Sequence, residues 1–196
     1  MIRKIQTPLL RDEKGATLVE FGLIAGPFII LMLGLMDLAY QGYVGTLSKS
    51  VMHQVARQAS VGGKSEKQIE NEVKDGMSTI LIPGSTVSVN VRSYYDFTSI
   101  GKPEKITSDN NKNGKLDSGD CFLDGNKNGY FDVNTGNVGS GGPDDIVNYE
   151  VTVTSPRLMP LAPLMGWSDE FVSYNATAVR NQPYGSQIQD PEVCKA

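Results

Sequence analysis

Two stretches of this sequence repeat one arrangement of oxygen-bearing side chains. Residues 109–117 read DNNKNGKLD and residues 124–132 read DGNKNGYFD, fifteen positions apart. Counting each first aspartate as position 1, Asp109, Asn111, Asn113 and Asp117 fall at positions 1, 3, 5 and 9, and so do Asp124, Asn126, Asn128 and Asp132. Glycine stands at position 6 in both copies, and Lys115 and Tyr130 offer main-chain carbonyls at position 7. A hard cation such as calcium takes about six to eight oxygens. Alternate residues of a tight loop point their oxygens inward, and glycine permits the bend, as at the start of an EF-hand loop. Position 12 departs from that pattern: Asp120 and Thr135 stand where a long bidentate glutamate would complete the shell. No flanking EF-type helices are expected, and Asp144 and Asp145 are candidate outside ligands. The residues thus suggest one or two calcium ions in a loop region spanning 109–135. The alternative is a pair of Asn/Asp/Gly-rich turns without metal.

A second chemically pointed residue is Glu20. It is a lone acid in an apolar run that begins directly after RDEKG, with sixteen uncharged residues following from Phe21 to Met36. A carboxylate in the middle of a bilayer costs about 3 kcal/mol on insertion scales, and less near the interface. It therefore calls for a partner. Cutting the Gly15–Ala16 bond would supply one, the new α-amino group of Ala16.

Gly15, Ala16, Glu20 and Phe21 in this spacing resemble the processing motif of type IV prepilins. The longer VEFGLIAGPF…LGLMDLAY resembles the TadE-like pseudopilins of tight-adherence (Flp-type) pilus systems. VARQAS, GGPDDIVNYEV and AVRNQPY extend the likeness in patches. The resemblance implies assembly roles for Glu20, Phe21, Pro27 and the second acid Asp37, with Gly26 departing from the second proline of many relatives. It implies a prepilin peptidase, the major Flp-type pilin, other pseudopilins and the pilus assembly platform with its ATPase as partners. It also implies a part in pilus assembly, adherence and biofilm formation.

The elements that must position these groups follow from periodicity. The expected architecture is α+β and pilin-like: a leader at 1–15, one long helix at 16–62, and a head at 63–196. The helix spans the membrane over about 18–40 and continues as a stem, because Val44, Leu47, Val51, Val55 and Ala59 recur at helical spacing. Gly62-Gly63 ends it. Pro27 should kink or locally melt it. Gly22, Gly26 and Gly34 would admit a close neighbouring helix, although glycines are common in such spans. Arg3, Lys4, Arg11 and Lys14 outnumber Asp12 and Glu13 before the span. That bias predicts a cytoplasmic N-terminus with the rest of the chain outside; the resemblance implies that the membrane is the bacterial inner membrane and that the head is periplasmic. A secretory signal peptide is the competing reading, but no A-x-A site follows Met36.

Ser65 and Gln68 form a capping box for a second helix with Ile69, Val73, Met77 and Ile80 on one face, stopped by Pro83-Gly84. Three alternating runs read as strands of a small, mainly antiparallel sheet: Val87/Val89/Val91, Val147/Tyr149/Val151/Val153, and Val172/Tyr174/Ala176/Ala178. SPRLMPLAPLMGW, residues 155–167, reads as a packed loop whose apolar residues also suit a contact with a neighbouring subunit. Cys121 and Cys194 fall in the part expected outside the membrane, where an oxidising compartment permits one disulfide; two separate thiols are the other option.

Net charge is −4, with no basic footprint for nucleic acid and no sign of a small-molecule substrate. The single histidine, His53, lies on the stem, and no nucleophile elbow, Cys–His pair or zinc spacing is present. An enzyme is not expected. Apart from the pilin, the sequence suits a single-pass, calcium-binding envelope protein that is never cleaved at Gly15.

Overall fold

A computed structural model describes residues 15–62, 64–182 and 185–195. Residues 1–14, which hold all but the last position of the leader expected at 1–15, Gly63, Pro183, Tyr184 and Ala196 lie outside the described residues. The architecture is α+β, with a long N-terminal helix followed by a small head of two antiparallel sheets.

Helix α1 runs Ala16–Ser60, 45 residues without a break, or about 68 Å at 1.5 Å per residue. Local melting at Pro27 does not occur: the proline lies inside the helix and removes only the amide that would have bonded to the Leu23 carbonyl. The helix ends as foreseen, with Gly62 at φ +117 accepting the reversal. The two halves of α1 have opposite surroundings. Val44, Met52, Val55, Ala56 and Ala59 are buried in the head, and Val51 packs at its edge. From Leu18 to Met36 the large apolar side chains are largely exposed; Leu18 is at 76% and Ile24 at 71%.

Helix α2 (Glu66–Met77) has the foreseen capping box: Ser65 Oγ accepts from Gln68 N, and Gln68 Oε1 accepts from Ser65 N at 2.8 Å. It buries Ile69, Val73 and Met77. It stops at Met77, well before Pro83, because the Ser78 amide turns back to the Asp75 carbonyl and its hydroxyl takes the same oxygen. Ile80 still packs against the core from the following turn. Gly76 is where α2 meets the stem: a Cβ there would come within 2.8 Å of Val51 Cγ1.

The larger sheet has the order β4-β1-β5-β6, with β1 Thr86–Tyr94, β4 Asn137–Val138, β5 Ile146–Pro156 and β6 Glu170–Arg180. All its pairings are antiparallel. Val91 on β1 and Tyr149, Val151 and Val153 on β5 share one core with α1 and α2. Strand β6 reverses the expected facing. Val172 and Tyr174 point to solvent, while Phe171 is buried and Ser173, Asn175 and Thr177 are half-buried. The reason is close packing by the stem. A Cβ on Gly45 would lie 3.4 Å from Ser173 Oγ, Asn175 Nδ2 reaches the Gly45 carbonyl at 3.5 Å, and Thr177 Oγ1 meets His53 Nδ1 at 3.1 Å. Small polar side chains let helix and strand approach where Val and Tyr would hold them apart.

A second, unforeseen sheet has the order β2-β3-β7: Ile106–Ser108, Cys121–Leu123 and Glu192–Cys194. Cys121 and Cys194 are register partners in it and form a disulfide. Phe122 is buried beneath this sheet, edge-on to Phe131 at 5.5 Å. The 155–167 segment divides between the end of β5, a proline-rich turn, and a single helical turn α3, Ala162–Met165, closed by Gly166 at φ +67.

Candidate functional site

Three groups of residues carry the candidate chemistry, and the fold keeps them apart. At one end of the molecule are Gly15 and Glu20, both exposed at the start of α1. Among the described residues, α1 is the one helix long and apolar enough to cross a membrane. Phe21 is exposed as well. Among the described residues nothing of the head covers Glu20 or Phe21, so this stretch is open to a membrane or to other helices.

Asp37 is different. It lies where the bare half of α1 enters the head, and it is 3% exposed. Its carboxylate accepts from Arg157 Nη1 at 2.8 Å, from the Leu158 amide at 3.0 Å, and from Gln41 Nε2 at 2.7 Å. Arg157 in turn donates to the Ser168 carbonyl at 2.7 Å and lies over the Trp167 ring, 5.0 Å from its centroid. Asp37 thus ties the 157–169 segment to the stem. Sequence reading missed Arg157, which is 120 residues away and signalled by no spacing.

The Asp/Asn loops flank β3: the first leads into it and the second leaves it. Their backbones repeat as their sequences do. Position 4 takes a left-handed conformation in both (Lys112 φ 55, Lys127 φ 60), and so does position 6 (Gly114 φ 73, Gly129 φ 81). In the first loop Asp109 accepts from the amides of Asn113 and Gly114, at 3.3 and 2.8 Å. In the second, Asp124 accepts from Asn128 and Gly129, at 3.2 and 2.7 Å. Asp117 receives the side-chain amides of Asn111 and Asn113 at 2.8 and 2.7 Å, and Asp132 those of Asn126 and Asn128, both at 2.6 Å. The Asn111 and Asn113 hydrogen bonds hold the Asp117 carboxyl below the usual carboxylate range.

The closing carboxylate differs between the copies. Asp120 is buried and accepts from the amides of Asn110 and Asp117, both at 2.9 Å. Thr135 does not take this place in the second loop. Glu104 does, from the segment before β2: its two carboxylate oxygens accept from the amides of Gly125 and Asp132, both at 2.9 Å. Glu104 is 3% exposed. Burial raises its pKa, partly offset by those two amides, and the Asp124 and Asp132 charges push it further up. Asp190 sits nearby, and burial drives its pKa to about 6, against the pull of Lys127 and with added repulsion from Asp145, Asp124 and Glu104.

Asp144 and Asp145 are spent elsewhere. Asp144 pairs with Arg180 at 3.1 Å, and Asp145 accepts from the Gly142 amide at 2.7 Å and from Gln187 at 3.0 Å. Among the described residues no three His, Cys, Asp or Glu side chains gather closely enough to hold a metal by themselves. The loops would have to complete a calcium shell with Asn oxygens and the main-chain carbonyls of Lys115 and Tyr130. Their chemistry fits that demand, since each carries two carboxylates and two amide side chains around one turn and calcium accepts all these oxygens.

The family model described as TadE-like protein matches residues 15–60, which comprise Gly15 and all of α1. The head, including GGPDDIVNYEV and AVRNQPY, lies outside the matched segment. No curated protein matches the chain, and no solved structure does.

Proposed function

We propose that the TadE-like stem makes this chain a pseudopilin of a tight-adherence pilus, with a structural and not a catalytic role. The observation that carries this is the first half of α1. It is apolar and exposed around its circumference, with Glu20 five positions after Gly15 as its one acid before Asp37. A helix apolar on all sides needs a bilayer or a bundle of like helices. In this reading the chain inserts in the bacterial inner membrane with its N-terminus in the cytoplasm and its head in the periplasm. A prepilin peptidase cuts after Gly15. The Glu20 carboxylate then neutralises the Ala16 ammonium of its own or a neighbouring subunit, as the helix moves from lipid into a bundle with the major Flp-type pilin and other pseudopilins.

Glu20→Ala tests the assembly step. An unpaired ammonium in a helical bundle costs about 3–5 kcal/mol, the range for breaking a buried pair. The variant should be trimmed normally, remain in the membrane fraction and be missing from sheared filaments. Wild-type amounts in filaments would refute the pairing.

The 109–135 loops bind calcium in this proposal, one ion in each. The supporting observation is that two unrelated carboxylates, Asp120 and Glu104, brace the two loops in the same way. Calcium would stiffen the periplasmic head; the filament helix lies apart from it.

A further inference from the structure

We propose that the 158–167 segment is a second membrane contact, dipping into the periplasmic leaflet beside the span and seating phospholipid acyl chains in a groove against it. This rests on α1 being the membrane span. The groove holds about 530 Å³. Ile30, Leu31, Gly34 and Leu35 of α1 form its floor, and Met165 and Trp167 its wall. A Cβ on Gly34 would touch nothing within 4 Å, so the floor is open at that point. Leu164, on the same helical turn as Met165, is 74% exposed.

Axial position decides the solvent. Ile30 and Pro27, which also lines the groove, precede Asp37 by seven and ten residues, or about 10–15 Å along the helix. With the buried Asp37–Arg157 pair at the membrane surface, that depth is one leaflet of a hydrocarbon core about 30 Å thick. The groove therefore runs from Leu38 at the surface down to Pro27 at tail depth, and no charged side chain lines it. Trp167, with Arg157 against its ring, suits the surface end, where an interfacial aromatic and a cation are expected.

The groove is open along its outer side, so it takes up whatever surrounds the span at that depth, and for a single chain in a bilayer that is acyl chains, which are narrow and conform to an irregular wall.

Trp167 is the chain's one tryptophan, so its fluorescence reports the site directly. The full chain is reconstituted at low density into phosphatidylcholine vesicles carrying bromine at defined depths on the acyl chains. Alkaline extraction of the same vesicles reports whether the chain is integral. The expected result is an alkali-resistant protein with blue-shifted Trp167 emission, mostly lost in bromolipid and untouched by aqueous iodide. Leu164→Glu with Met165→Glu should shift the emission to the red and restore it in bromolipid, with the chain still alkali-resistant. An integral protein whose Trp167 is quenched by iodide and not by bromolipid overturns the proposal and leaves the span intact. Blue emission insensitive to both quenchers means another protein chain covers the groove, which also overturns it. Release by alkali removes the span reading and this proposal with it.

Discussion

Removing the Asp37 carboxylate should uncouple the stem from the 157–169 segment. Asp37→Ala deletes an ion pair whose side chains are 4% and 15% exposed, and leaves the Leu158 amide without its acceptor. Two effects add: a guanidinium loses its counter-charge in a largely dry site, and a main-chain donor loses its partner. Breaking a buried pair from one side costs about 3–5 kcal/mol. Arg157 keeps its bond to the Ser168 carbonyl and its place over Trp167, so the lower end of that range, about 3 kcal/mol, is expected. Arg157→Ala should cost a similar amount, because Asp37 would then be a buried carboxylate held only by the Leu158 amide and Gln41. The double variant leaves neither charge stranded and should recover part of the loss, giving a coupling energy of about 2 kcal/mol. The assay is thermal unfolding of the full chain in detergent micelles, followed by near-ultraviolet circular dichroism for wild type, both singles and the double. A coupling below about 0.5 kcal/mol, the level of exposed surface pairs, would refute the argument that this is a buried clamp.

Calcium at one hundred times its dissociation constant should stabilise the head by about 2.7 kcal/mol for each ion bound, read as a higher melting temperature than in chelator. Magnesium should substitute poorly, because it demands a tighter octahedron. Asp109→Ala with Asp124→Ala should abolish the shift, and no shift in the wild type at millimolar calcium would return the loops to plain turns. Reducing the Cys121–Cys194 disulfide, which closes a loop of 73 residues, should destabilise the head by about 4 kcal/mol on chain-entropy grounds; an unchanged denaturation midpoint in reductant would contradict this. Asp190 has a folded pKa raised from 3.8 to about 6. Its contribution to stability is therefore fully present below about pH 3.8 and lost as pH rises through about 6. Asp190→Asn should raise the melting temperature at neutral pH in chelator and flatten the profile between those values; a profile unchanged from wild type would count against the buried position.

The parts of the fold legible in the sequence are those held by local periodicity. The stem repeats its burial every three or four residues, the Ser65–Gln68 box acts within one turn, and β1 and β5 bury alternate valines. What stayed hidden depends on partners far along the chain. Val172 and Tyr174 look like the inner face of β6 on hydrophobicity alone, but the approach of Gly45 puts Ser173 and Asn175 inside. Strands of two or three residues, such as β2, β4 and β7, are too short to show a period. The repeated Asp/Asn turns were legible from their spacing, and Asp120 was named in the first of them. Glu104 was not, because it reaches the second loop across a gap that no motif specifies. The same holds for Arg157, the partner of Asp37.

The central claim is that Gly15–Ala16 is a processing site and that the freed end of α1 is built to assemble. Intact-mass and N-terminal sequencing of the protein isolated from its native membranes tests it most directly. A mature chain beginning at Ala16 is the predicted result. A chain still beginning at Met1 would contradict it and favour the alternative of a single-pass envelope protein that is never cleaved.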